Sequence, residues 1–170
     1  MKLVVQRVLN ATLKINNEIT AQINHGIVCF VGFTEGDQTK DFSKAVSKLC
    51  GLRIFEDENE KMNLNLSQVN AELLIIPNFT LYADCSHGFR PSFIEALNPT
   101  EANVCFEKFV QLTKQSFSNC QTGVFGADMK VEILNDLEAQ GFPTEPEGFS
   151  VYKDAFICCG INGGVYKITI

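Results

Sequence analysis

Gly26-Ile27-Val28-Cys29-Phe30-Val31-Gly32-Phe33 is the longest apolar run of the chain, and its reading decides the fold. It is far shorter than the roughly 18 apolar residues of a membrane span. Its near-continuous apolar character predicts a strand buried on both faces. Upstream, Lys2 to Leu9 reads as a strand and Thr12-Leu13-Lys14-Ile15 alternates. Asn16-Asn17 signals a turn, and Ile19 to Ile23 resumes the strand pattern, which together predict a hairpin. Downstream, Thr39 to Leu52 follows helical spacing, with Phe42, Ala45, Val46, Leu49 and Leu52 on one stripe. Gly51 and the acidic stretch Glu56-Asp57-Glu58 mark an exposed loop after it.

Glu72 to Leu81 reads as a further strand, and Pro77 inside it implies an edge, a bulge or a strand end. Asn98-Pro99-Thr100-Glu101 opens a second helix, with Thr100 as its cap and Glu101 in the first turn. That helix runs to about Phe117, with Phe106, Phe109, Val110 and Leu112 as core candidates. Met129 to Leu134 is a strand ended by Asn135-Asp136, and Glu138 to Ser150 is a surface loop. Ala155 to Cys159 and Val165 to Ile170 are final strands around the turn Asn162-Gly163-Gly164. No repeat or linker divides the 170 residues, so residues 1–170 form one domain. The order of elements is that of an α+β protein with mostly antiparallel strands and two main helices.

Hydrophobic residues make up 45% of the chain and charged residues 20%, an ordinary balance for a globular, soluble protein. Arg7 breaks the apolar opening too early for a signal peptide, and no run is long enough for a membrane. The seven cysteines are odd in number, contain no CxxC pair, and lie partly within apolar segments. They read as reduced thiols of a cytoplasmic protein rather than as a zinc or redox site. A net charge of −6 excludes the broad basic surface of a protein that grips many phosphates. Contact with nucleic acid must then be local.

Conventional catalytic equipment is scarce. A Ser-His-Asp triad would need one of only two histidines. His25 sits beside a glycine at a strand start, and His87 lies in the polar loop Asp84 to Pro91. No phosphate-binding glycine loop or metal-ligand cluster stands out. An enzyme so built needs a reactive substrate, or one that helps itself.

Three motifs carry a resemblance: Asn78-Phe79-Thr80-Leu81-Tyr82, Arg90-Pro91-Ser92-Phe93, and Thr122-Gly123-Val124-Phe125-Gly126-Ala127-Asp128-Met129. With Met1 to Arg7, the run Gly26 to Gly32 and Leu52-Arg53-Ile54-Phe55, they resemble the D-aminoacyl-tRNA deacylase family over nearly the whole length. The resemblance implies a barrel-like core, no cofactor or metal, and a cytoplasmic homodimer whose site lies at the subunit interface. It implies hydrolysis of the ester of mischarged aminoacyl-tRNA, gripped by its acceptor end, as translation proofreading. The chemistry would lean on the substrate's 2′-OH and on backbone groups. Thr80 takes the catalytic side-chain role by this resemblance, with Asn78 as a shorter donor in place of the family's glutamine. Phe79, Phe125, Gly126, Ala127 and Met129 would line the site for the terminal adenosine.

The family's second motif ends in a Gly-Pro pair that excludes L-amino acids. Asn162-Gly163-Gly164-Val165 is the preferred match; Asn135-Asp136 also resembles its start, but Leu137-Glu138 follows. Gly164 in place of proline favours a trans peptide and implies relaxed chiral selection. Pro77 and Ile75-Ile76-Pro77 resemble a related branch that removes L-alanine from a threonine tRNA. Glycyl- or L-alanyl-tRNA is therefore an alternative substrate, and a non-catalytic nucleic-acid-binding homologue a further reading. Residues of about 137–157 read as an insertion.

Overall fold

The computed structural model describes residues 1–136 and the backbone of strand 165–169. The spine is β1 (Lys2–Ile15), one strand of 14 residues where the sequence reads as two segments. Its second half pairs antiparallel with β2 (Glu18–Ile23) across a turn in which Asn16 and Asn17 take φ of 52° and 65°. That is the left-handed region a tight hairpin demands and asparagine tolerates. Its first half pairs antiparallel with β3 (Gly26–Gly32), from Lys2↔Gly32 to Val8↔Gly26.

β3 is buried on both faces because a cluster lies on each. Ile27, Cys29 and Val31 join the larger cluster under the helices, while Val28 joins Val8, Leu13, Ile23, Leu74 and Ile76 on the other side. Beyond it, β6 (Glu72–Pro77) runs parallel to β3, and β7 (Cys120–Thr122) runs parallel to β6. Parallel neighbours need crossovers, and the helices provide them. α1 (Ser43–Cys50) and a hairpin of β4 (Phe55–Glu56) and β5 (Met62–Leu64) lie between β3 and β6. α2 (Pro99–Ser116) lies between β6 and β7. The crossovers pack together through the Phe42 and Phe109 rings, 6.1 Å apart and edge to face.

β8 (Met129–Asn135) and β9 (Val165–Thr169) pair antiparallel with the other edge of β1. The main sheet is mostly antiparallel, as expected, and nearly closes on itself. The Gln121 carboxamide spans the seam between β7 and β2: Gln22 N–H donates to its oxygen at 3.0 Å, and its amide group donates back to the Gln22 carbonyl.

Several boundaries differ from the sequence reading, each for a local reason. The helix expected over 39–52 shrinks to α1. Asp37–Thr39 forms a separate 3-10 turn, and Asp41 Oδ1 accepts from the Ser43 amide and hydroxyl, which starts the helix anew. α2 is capped by Asn98, not Thr100: Asn98 Oδ1 accepts from Glu101 N–H at 3.1 Å, and Pro99 takes the first helical position. The strand expected to reach Leu81 stops at Pro77. β7 and the β4–β5 hairpin are additions to the sequence reading. The loop 138–150, the strand Ala155–Cys159 and the insertion 137–157 lie outside the described residues.

Candidate active site

Pro77 has no N–H to continue the ladder, so β6 ends there and Asn78 N–H makes the last bond, to Val31 O at 2.7 Å. Phe79–Tyr82 then form one 3-10 turn with Asn78 as its cap. Asn78 Oδ1 accepts two bonds, from Thr80 N–H at 3.1 Å and from the Thr80 hydroxyl at 2.6 Å. With its oxygen doubly engaged, the carboxamide is fixed and its NH2 points away from Thr80, without an acceptor among the described residues. Phe79 N–H is the first amide of the turn and has no intrahelical acceptor. Two hydrogen-bond donors therefore stand on adjacent residues at an exposed corner of the sheet. Phe79 and Thr80 are both exposed there, and Asn78 is half-buried.

The turn rests on β3 and is held from β1. A Cβ on Gly32 would lie 2.8 Å from Asn78 O and 3.2 Å from Leu81 Cβ, so only glycine lets the turn sit this close. Lys2 is the cross-strand partner of Gly32. Its Nζ donates to Leu81 O at 3.1 Å and lies 4.3 Å from the centre of the Tyr82 ring. Burial, with Asp37 nearby, pushes the Tyr82 phenol up, so it stays protonated at neutral pH.

The Thr122–Met129 motif meets the Asn78–Tyr82 motif at Gly123. Its N–H donates to Ile75 O at 2.8 Å, and a Cβ there would lie 2.8 Å from Met129 Sδ and 3.3 Å from Pro77 Cδ. Met129 is thus brought beside Pro77 and the start of the Asn78 turn. Gly126 takes φ +77° in the reversal that follows, where Ala127 N–H reaches Val124 O at 3.3 Å. The Phe125 ring, half-buried, packs on Phe106 of α2 with centres 6.1 Å apart. Phe79 pairs instead with Phe93, edge to face at 5.1 Å. The two aromatic candidates thus have different ring partners. Gly163 and Gly164 lie outside the described residues.

Sequence reasoning missed Lys2, Gly32 and Gly123 as supports of the site. Their roles come from strand register, and the sequence offers only a glycine at the end of an apolar run and another inside a recognised motif. Other chemistry is remote or silenced. His25 stacks edge-on against Phe55 and lies 4.0 Å from Asp136, which pairs with Arg7 at 3.0 Å. His87 stays in an exposed loop. Burial raises the thiols of Cys29, Cys50, Cys105 and Cys120, the last to about 12, which leaves them protonated and poorly nucleophilic. Among the described residues no three His, Cys, Asp or Glu side chains gather as a metal site.

A nearly closed sheet with two crossover helices is the fold expected of the tRNA ester hydrolases that the motifs resemble. The chain belongs to the D-Tyr-tRNA(Tyr) deacylase family, whose sequence profile matches residues 4–137. A D-aminoacyl-tRNA deacylase of Clostridium acetobutylicum is 47% identical over 136 residues, covering 80% of this chain and 91% of that protein. One from Clostridium botulinum strain Alaska E43 is 45% identical over the same shares. The solved structure of a c-Myc DNA Unwinding Element Binding Protein superposes with a TM-score of 0.75 at 32% identity, covering 80% of this chain and 93% of that one. A probable eukaryotic D-amino acid tRNA deacylase shares the fold, with a TM-score of 0.65 at 14% identity over 78% of this chain and 92% of its own.

Proposed function

We propose that the chain hydrolyses the ester between a wrongly attached amino acid and the 3′ end of a tRNA, as a proofreading step of translation. Besides family membership, the observation that carries the reading is the Asn78 carboxamide, whose oxygen is locked by Thr80 and whose NH2 has no acceptor among the described residues, next in sequence to Phe79 N–H. As water adds to the ester carbonyl, negative charge gathers on its oxygen, and two preorganised donors suit that oxyanion. Collapse breaks the acyl–oxygen bond, with the neighbouring ribose 2′-OH assisting proton transfer to the departing 3′-oxygen. The products are free amino acid and tRNA. Thr80 serves here by fixing Asn78 rather than as the main donor. Met129, Phe125, Gly126 and Ala127 face the task of holding the terminal adenosine, with Phe79 beside the ester.

A homodimer fits the exposed position of this corner, which a second subunit would cover, and Gly163-Gly164 is the proposed closing turn. Because that turn lacks proline, selection against L-amino acids is relaxed; glycyl- or L-alanyl-tRNA is the alternative substrate. Reduced cysteines fit a cytoplasmic location, the five described ones all being free. A nucleic-acid-binding protein without catalysis is the second reading. It is favoured by the 32%-identical structure, that of a protein named for binding DNA, and opposed by the net charge of −6. Incubation with D-tyrosyl-, L-tyrosyl-, glycyl- and L-alanyl-tRNA separates these readings. Release of the D-amino acid with measurable attack on L- or glycyl-tRNA is expected, and inertness toward all four would refute the enzyme reading. Sedimentation velocity reads the dimer directly.

A further inference from the structure

We propose that the loop from Asp84 to Ser92 is a docking arm for the single-stranded nucleotides that precede the terminal one at the acceptor end; this rests on the deacylase reading. The arm grows out of the catalytic turn, since Ala83 N–H caps it on Thr80 O at 3.0 Å and Asp84 follows at once. It is a built loop: Asp84 and Ser92 exchange two backbone hydrogen bonds, of 2.8 and 2.9 Å, and Asp84 Oδ1 accepts from Ser86 N–H at 2.9 Å. Gly88 at φ +67° reverses the chain. The reversal puts Phe89 and Arg90 at the tip, with Phe89 fully exposed.

A phenyl ring wholly in water on a hydrogen-bonded loop forgoes hydrophobic stabilisation with no gain among the described residues. Beside it stands the loop's one permanent cation, while its one carboxylate is turned to the root. An aromatic face next to a guanidinium suits a base and its phosphate and tolerates any base. A track of exposed rings leads back to the ester site, because Phe93, just past the bridge, packs on Phe79 at 5.1 Å. Continuity with the site and the cation at the tip favour the substrate's own polyanion as the occupant of the tip, the second copy of this acidic chain being assigned to the Asn78 turn.

The test compares two substrates: full-length D-tyrosyl-tRNA and 3′-D-tyrosyl-adenosine, which ends where the arm begins. Phe89→Ala should lower kcat/KM on the tRNA about 5- to 160-fold, the worth of one stacked base, and leave the adenosine ester unchanged. Phe89→Tyr should restore it. Arg90→Gln should also spare the adenosine ester, and should reduce the slope of log(kcat/KM) against log salt on the tRNA by about 0.7. Unchanged tRNA kinetics in Phe89→Ala, equal losses on both substrates, or conversion of the protein to monomer would overturn the arm while leaving the enzyme reading intact. A wild-type protein that hydrolyses neither substrate removes both.

Discussion

At Asn78 a single oxygen serves two hydrogen bonds, and everything that holds this residue is a constraint on where its NH2 points. Gly32 lies under it and Lys2 hooks the far end of the same turn, so both are positioning residues. Gly32→Ala forces a Cβ to within 2.8 Å of a carbonyl oxygen, so β3 and the turn must part. The expected result is a loss of about 1–3 kcal/mol in chemical denaturation and a larger proportional fall in kcat than in KM. Lys2→Met keeps the stem and removes the cation; kcat should fall with KM nearly constant, and Lys2→Arg should recover it. Equal activity of Lys2→Met and wild type would show that the turn needs no such hook. Asn78 and Thr80 were legible in the sequence because a recognised motif names them. Gly32 and Lys2 were not, because they meet only through the pairing of β1 with β3.

Elements follow the same division between local and distant causes. The strand at Gly26 was legible since a run with no polar alternation has to be covered twice, and clusters on both faces do cover it. The hairpin at Asn16-Asn17 was legible because the turn chemistry is local. β7 was not: three residues, Cys120-Gln121-Thr122, carry too little pattern, and their strand exists because β6 offers a free edge. The first helix shrank because Asp41 captures backbone of the expected first turn. For α2 the cap is testable. Asn98 binds Glu101 N–H with its oxygen and the Glu101 carboxylate with its amide, so Asn98→Ala should cost about 1 kcal/mol of stability. Thr100→Ala should cost far less, and the reverse ranking would return the cap to Thr100.

On the scale of the whole molecule, one buried charge ties the amino terminus to the crossover side of the sheet. Asp37 is fully buried, 2.5 Å from the Met1 ammonium, and accepts from Thr34 N–H at 2.9 Å. The Lys40 ammonium lies 2.9 Å from its other oxygen as an ionic contact without hydrogen-bond geometry. Burial pushes the Asp37 carboxyl up, but the Met1 ammonium, the Thr34 amide and Lys40 together bring it below its ordinary 3.8. The partners shift unequally, since burial lowers the Met1 ammonium more than Asp37 raises it, so the prediction rests on the carboxylate. A depressed folded pKa means stability present above 3.8 and lost as pH falls through the folded value. Unfolding followed from pH 6 downward should therefore show a loss below pH 3.8 that Asp37→Ala lacks. That variant should already be weaker at neutral pH, by about 3 kcal/mol, from the Met1 ammonium left buried without its partner, Lys40 being exposed. An identical acid limb in both proteins would remove Asp37 from this role.

The central claim is that ester hydrolysis here depends on oriented amide donors and not on an acid–base side chain. Single-turnover deacylation of D-tyrosyl-tRNA by wild type, by Asn78→Ala and by the double variant His25→Gln, His87→Gln tests it most directly. The predicted result is hydrolysis by wild type, a fall of about 10²–10³ in rate for Asn78→Ala, and little change in the double-histidine variant. An Asn78→Ala protein as fast as wild type, or a histidine-less one that is dead, would contradict it.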